Sequence, residues 1–168
     1  MDFLRSNLFG LSVLSMAFVS PVANASEIES NQDAVLACIE TIGGETNWET
    51  CREIMFEPCA SMSVGSTDHV ACLKSEQTDW DAYFQDFLDL VNSKLTTTGA
   101  AVLADNVGQW YEYRQSRCNS VAEERAAIGF NPEAAGYGCV IAETAGIVSE
   151  LNACLSGKST SPYCTIKE

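Results

Sequence analysis

Eight cysteines and a single histidine are the residues of this chain best suited to chemistry, and their spacing narrows what that chemistry is. The cysteines are Cys38, Cys51, Cys59, Cys72, Cys118, Cys139, Cys154 and Cys164. A nucleophilic cysteine needs a neighbouring base and a thiol that escapes oxidation. The only imidazole is His69, in a polar stretch with no nucleophile-elbow pattern beside it, which reads as a solvated loop residue. Zinc would favour C-x-x-C knuckles with histidine close by, yet no two cysteines are nearer than Cys51 and Cys59. An even set of cysteines in an exported chain reads instead as a disulfide framework. Carboxylates are plentiful, but no pair stands apart as an acid and base for glycoside cleavage. There is no phosphate-binding glycine loop and no basic patch interleaved with aromatics. The expectation is a protein that is not an enzyme, with no cofactor, no metal and no nucleic-acid partner.

Sequence alone leaves the cysteine pairing open. Nearest-neighbour closure is the expectation: Cys38 with Cys51, Cys59 with Cys72, Cys118 with Cys139, and Cys154 with Cys164. Each small loop would contribute about 2–4 kcal/mol by constraining the unfolded chain. Export is read from the N-terminus. Arg5 precedes an apolar stretch from Leu8 to Val19, Pro21 breaks it, and Ala23-Asn24-Ala25 offers a small-x-small cleavage pattern. Residues 1–25 are expected to be a signal peptide, leaving one domain from Ser26 to Glu168 in the periplasm or secreted. No later segment reads as long and apolar enough to span a bilayer, so no membrane insertion is expected.

The elements that must position these residues read as helices. Asn31 can cap a helix with Val35, Cys38, Ile39 and Ile42 on one face, ended by Gly43-Gly44. A second short helix covers Trp48 to Phe56 and stops at Pro58. Met62 to Thr67, with Ser63, Gly65 and Ser66, reads as a small-residue loop. From Thr78 to Leu95, the residues Trp80, Tyr83, Phe84, Phe87, Leu88, Val91 and Leu95 form a helical stripe. Asp79, Asp81, Asp86 and Asp89 fall mostly on its other side. Thr96-Thr97-Thr98-Gly99 breaks the pattern before a helix carrying Leu103, Val107, Trp110, Arg114, Cys118 and Val121. Gly129 to Gly138 reads as a loop. A last helix carries Val140, Thr144, Ile147, Leu151 and Cys154, closed by Gly157, and a tail with Pro162 returns to Cys164. No period-two run is long enough for a strand. The fold class expected is all-α, a small disulfide-bonded bundle of helical hairpins.

One segment is more specific. Trp110, Arg114 and Cys118 recur every fourth residue, so they share a helix face flanked by Tyr113. Trp110 reads as core and Arg114 as a helix-pairing ion bridge. The pattern W-x-x-Y-R-x-x-x-C, then a loop, then C-x-x-x-x-T ending at Thr144 resembles the LprI-type lysozyme inhibitors. In the first half, Cys51, Cys59 in Glu-Pro-Cys-Ala, Gly65-Ser66-Thr67, Cys72-Leu73 and Trp80 are similar to proteobacterial members of that family. The sequence departs from the family in a less glycine-rich stretch at Gly129 to Gly138. It departs again at Ile147, near where an arginine is usual. The resemblance implies an exported protein that binds and inhibits lysozyme or a related muramidase.

Charge is compatible with that partner. The chain holds 23 acidic and 9 basic residues, a net charge of −14 that loss of Asp2 and Arg5 with the leader leaves unchanged. Such a field repels nucleic acid and anionic membranes and steers cationic proteins inward. Inhibition also requires a rigid loop to enter the enzyme's cleft, and Met62 to Thr67 or Gly129 to Gly138 are the candidates. Arg114 and Arg117 are the candidates for meeting its carboxylates. The alternative is an envelope-binding or chaperone-like stress protein without lysozyme inhibition. No heptad run argues for an oligomer.

Overall fold

A computed structural model describes residues 31–41 and 51–167. Residues 1–25, the expected signal peptide, together with the arm from Ser26 to Ser30, Ile42, Gly43-Gly44, Trp48 and the Ile39 side chain, lie outside the described residues. Among those described, five α-helices run α1 (Asn31–Thr41), α2 (Arg52–Phe56), α3 (Thr67–Lys94), α4 (Thr97–Ala127) and α5 (Pro132–Leu155). A 3₁₀ turn, Glu57–Cys59, carries Pro58. The class is all-α, with four disulfides.

Helix α3 starts eleven residues earlier than the apolar stripe indicated, at Thr67. Ser66 supplies the cap, its Oγ accepting from the His69 amide at 3.2 Å, and Asp68 sits in the favourable first turn. His69 therefore lies on a helix, not in a solvated loop, and its Nδ1 accepts from the Gly65 amide at 3.1 Å. The early part of the stripe is concealed because one of its buried positions is Glu76.

Helices α3 and α4 are joined by only Leu95 and Thr96, and run antiparallel. Thr96 caps α4 by accepting from the Gly99 amide at 3.2 Å. Gly99 lies inside α4 and does not break it. The C-terminal tail crosses there, and a Cβ on residue 99 would lie 2.6 Å from the Tyr163 carbonyl oxygen. The tail is held by Cys154–Cys164, by an antiparallel bridge between Leu95 and Ile166, and by the Thr96 amide donating to Thr165 O at 2.7 Å.

Helix α5 is the central element, packing on α3, α4 and α1. Val148 and Leu151 face one core cluster with Phe84, Val91 and Leu103, whereas Ile141 and Ala145 face another with Val35, Met55 and Trp80. That position corrects the expectation that no later segment is apolar enough to span a bilayer. Pro132–Leu155 reaches a mean hydropathy of 1.3 over an 18-residue window. A helix with neighbours on several sides is apolar on more than one stripe.

Asn31 opens α1, and its side chain bonds beyond that helix. Its amide donates to the Met55 carbonyl at 3.1 Å and to Glu76 Oε1 at 2.8 Å, and Trp80 Nε1 donates to the same oxygen at 3.1 Å. Burial pushes the Glu76 carboxyl above the ordinary carboxylate range. The Asn31 bond opposes this, Asp79 reinforces it, and the Trp80 bond opposes it. A carboxyl raised in the fold favours the protonated native state, so its contribution is present at low pH and is lost as pH rises through the folded value. Glu76→Gln keeps an acceptor for both donors and removes the buried charge. We expect the variant to be more stable than the parent at pH 7, with the gap closing towards pH 4, in urea unfolding at both values. A gap independent of pH would sink this account.

Candidate functional site

The Trp110 motif forms a three-helix junction inside the bundle. Arg114 Nη1 of α4 lies 2.6 Å from Asp81 Oδ1 of α3 and donates to Thr144 Oγ1 of α5 at 2.7 Å. The Thr144 hydroxyl, fully buried, donates in turn to the Val140 carbonyl at 2.8 Å. The guanidinium lies over the faces of Trp110 and Tyr111, 4.7 and 5.0 Å from the ring centroids. Trp110 packs on Phe84 at 5.0 Å. Planar stacking with two directed hydrogen bonds is a geometry suited to arginine and not to lysine.

Asp81, read as part of the polar face of α3, thus points to α4. Arg114 is committed within the chain, with a side chain only 12% exposed, so it is not a free contact for a partner's carboxylates. Arg117 is half exposed and pairs with Glu143 at 2.6 Å. Tyr113 is exposed on the outer side of α4. Arg114 with Thr144, Arg117 with Glu143, and Cys118 with Cys139 follow one antiparallel register of α4 on α5.

The disulfides close neighbouring cysteines, as nearest-neighbour closure expected. Cys38–Cys51 ties α1 to the start of α2, and Cys59–Cys72 ties the 3₁₀ turn to α3. Cys118–Cys139 ties α4 to α5, and Cys154–Cys164 ties the tail to α5. Four such links belong to a chain that folds in an oxidising, extracytoplasmic compartment.

At the opposite end from the tail, the two candidate loops meet. Gly129 to Gly138 is not one loop: only residues 128–131 are outside helix, and α5 begins at Pro132. Asn131 caps it, accepting from the Glu133 and Ala134 amides at 3.0 and 3.2 Å. The pair Asn131-Pro132 carries the signal, since asparagine before proline is a helix start. Gly136 and Gly138 sit within the helix, close to Ala122 and Phe56.

The same Asn131 donates its side-chain amide to the Gly65 carbonyl at 3.0 Å, so one residue caps α5 and fastens the 62–66 loop. Gly65 is required twice over. Its φ is +76°, and a Cβ there would crowd Asn131 Cβ at 3.1 Å. Ser66 N donates to Ser63 O at 3.0 Å within the same turn, and Ser63 remains exposed. The joined segments form a tip that carries Val64, Ile128 and Phe130, exposed by 77, 65 and 52%. Exposed carboxylates lie around it: Asp68 opens α3, Glu133 opens α5, and Glu123 and Glu124 lie near the end of α4. Arg125 is the cation there, 5.7 Å from the Phe130 ring centroid. Among the described residues no group of three His, Cys, Asp or Glu side chains converges to hold a metal.

The fold and site define an all-α, disulfide-bonded bundle with an apolar, carboxylate-rimmed tip. No protein-family model, curated protein or solved structure matches the chain.

Proposed function

We propose that this protein is an exported, non-enzymatic inhibitor that binds a basic cell-wall lytic enzyme of the lysozyme type and seats its tip in the enzyme's cleft. One observation carries the reading: Asn131 fastens two loops into a single protruding element with three exposed apolar side chains. Each loop is also braced by a nearby disulfide, Cys59–Cys72 for one and Cys118–Cys139 for the other. A loop ordered before binding saves the entropy of ordering it on the partner. The net charge of −14 and the carboxylate rim steer a basic enzyme towards the tip. The resemblance to LprI-type inhibitors over roughly Cys51 to Leu151 supports the same partner. The protein acts in the periplasm after cleavage behind Ala25, without inserting in the membrane.

The test is titration of hen-type and goose-type lysozymes with the oxidised, exported protein, reading cell-wall lysis at low and high salt. The expected result is a saturable loss of lysis that weakens as salt rises. Val64→Ser with Phe130→Ser should cost about thirtyfold in affinity, as for removal of a central apolar anchor. Because both side chains are exposed, the unfolding midpoint should stay where it is. Undiminished lysis at every salt concentration would remove the inhibitor reading.

A further inference from the structure

Beside the tip, a groove of about 580 Å³ lies along the seam between α4 and α5. Its lining includes Cys118, Ala122 and Val140 with the aromatic side chains of Tyr111 and Tyr137. Small residues leave room along it: a Cβ added at Gly136 would meet only Ala122 Cβ, at 3.8 Å. The charge of the groove is one-sided. Arg114 is the cation on its lining and is already paired with Asp81, whereas Glu112 and Glu133 line it with no ion-pair partner among the described residues.

Apolar lining suits a methylene stem, the Tyr137 ring attracts a cation where Tyr111 already carries Arg114, and unpaired carboxylates complete its neutralisation. An anionic ligand would meet two uncompensated carboxylates. From this complementarity we propose that the groove receives an arginine or lysine side chain of the basic partner, a second anchor next to the tip. This rests on the reading of a basic protein partner given above, and it names the chemistry of the part of that partner that the groove holds.

The test uses two probes, acetyl-tetra-arginine amide and hen lysozyme, against the oxidised protein. Ala122→Phe fills the groove without altering charge, and Glu112→Gln with Glu133→Gln removes its charge without altering shape. Gly136→Leu is a second filling variant should Ala122→Phe fail to fold by near-ultraviolet circular dichroism. We expect tetra-arginine binding to fall at least about tenfold in the filled and the neutralised variants. Lysozyme affinity should fall about tenfold in the filled one. Tetra-arginine binding that drops on neutralisation but not on filling would overturn the groove, since general attraction to an acidic surface then accounts for it. Lysozyme bound equally by folded parent and filled variant would overturn it too, while leaving the inhibitor reading intact. Groove-dependent tetra-arginine binding without any lysozyme binding would sink the inhibitor reading and support the groove's preference for cations.

Discussion

Replacing Arg114 with alanine is expected to cost about 3 kcal/mol of stability, measured by urea unfolding of the oxidised protein. The substitution leaves Asp81 without its counter-charge and removes a donor from the fully buried Thr144 hydroxyl. It also opens the space above Trp110 and Tyr111. Removing one partner of a buried pair costs more than the pair itself contributes, because the other is left desolvated and unpaired. Asp81 is 35% exposed, and water screens it partly, which places the cost at the lower end of the range for such pairs. Asp81→Asn should cost less, about 1–2 kcal/mol, since Arg114 keeps Thr144 and both aromatic faces. Arg114→Lys should recover only part of the loss, because an ammonium cannot stack and fork at once. An Arg114→Ala variant within about 0.5 kcal/mol of the parent would show that the junction contributes no net stability.

The second large effect is expected on removal of the link between α4 and α5. Cys118→Ala with Cys139→Ala opens a loop of sequence separation 21, which corresponds to about 3 kcal/mol of lost unfolded-state restraint. Cys118 is buried at 3% exposure, so the truncation also leaves unfilled space. The loop it closes contains Ile128, Phe130 and Asn131, half of the tip. The variant should therefore bind lysozyme more weakly even under conditions where it stays folded, whereas Cys154→Ala with Cys164→Ala, at the far end, should not. Equal loss of binding from both pairs would argue that the disulfides act on global stability alone.

Much of the helical layout was legible because it rests on local rules. The stripe from Trp80 to Val91 has one periodicity, and its strongest members, Trp80, Phe84 and Val91, are the fully buried ones. Misreadings cluster where a polar residue is buried or a small one is packed. Glu76 hides the first part of α3, because a buried carboxylate breaks the apolar pattern while its bonds to Asn31 and Trp80 satisfy it. Gly136 and Gly138 resemble loop glycines, yet both lie inside α5, facing Ala122 and Phe56 across a helix seam. Asn131-Pro132, read as a helix start, would have corrected that boundary from sequence alone.

The candidate site was legible only in parts. Both loops were singled out by their small residues, but their union depends on the 66-residue separation between Gly65 and Asn131, which no local pattern encodes. The partners of Arg114 have the same origin. A helix face shows that Trp110, Arg114 and Cys118 lie together, but not which carboxylate stands opposite.

By itself, then, the sequence determined the disulfide-rich helical character, the strong negative charge and most helix positions, because these follow from residue type and short-range spacing. The tertiary structure decided that α5 is central, that Arg114 is bound internally to Asp81 and Thr144, and that the two loops form one tip. Those outcomes depend on which faces meet when the helices pack, and that is settled by burial and hydrogen bonding between residues far apart in the chain.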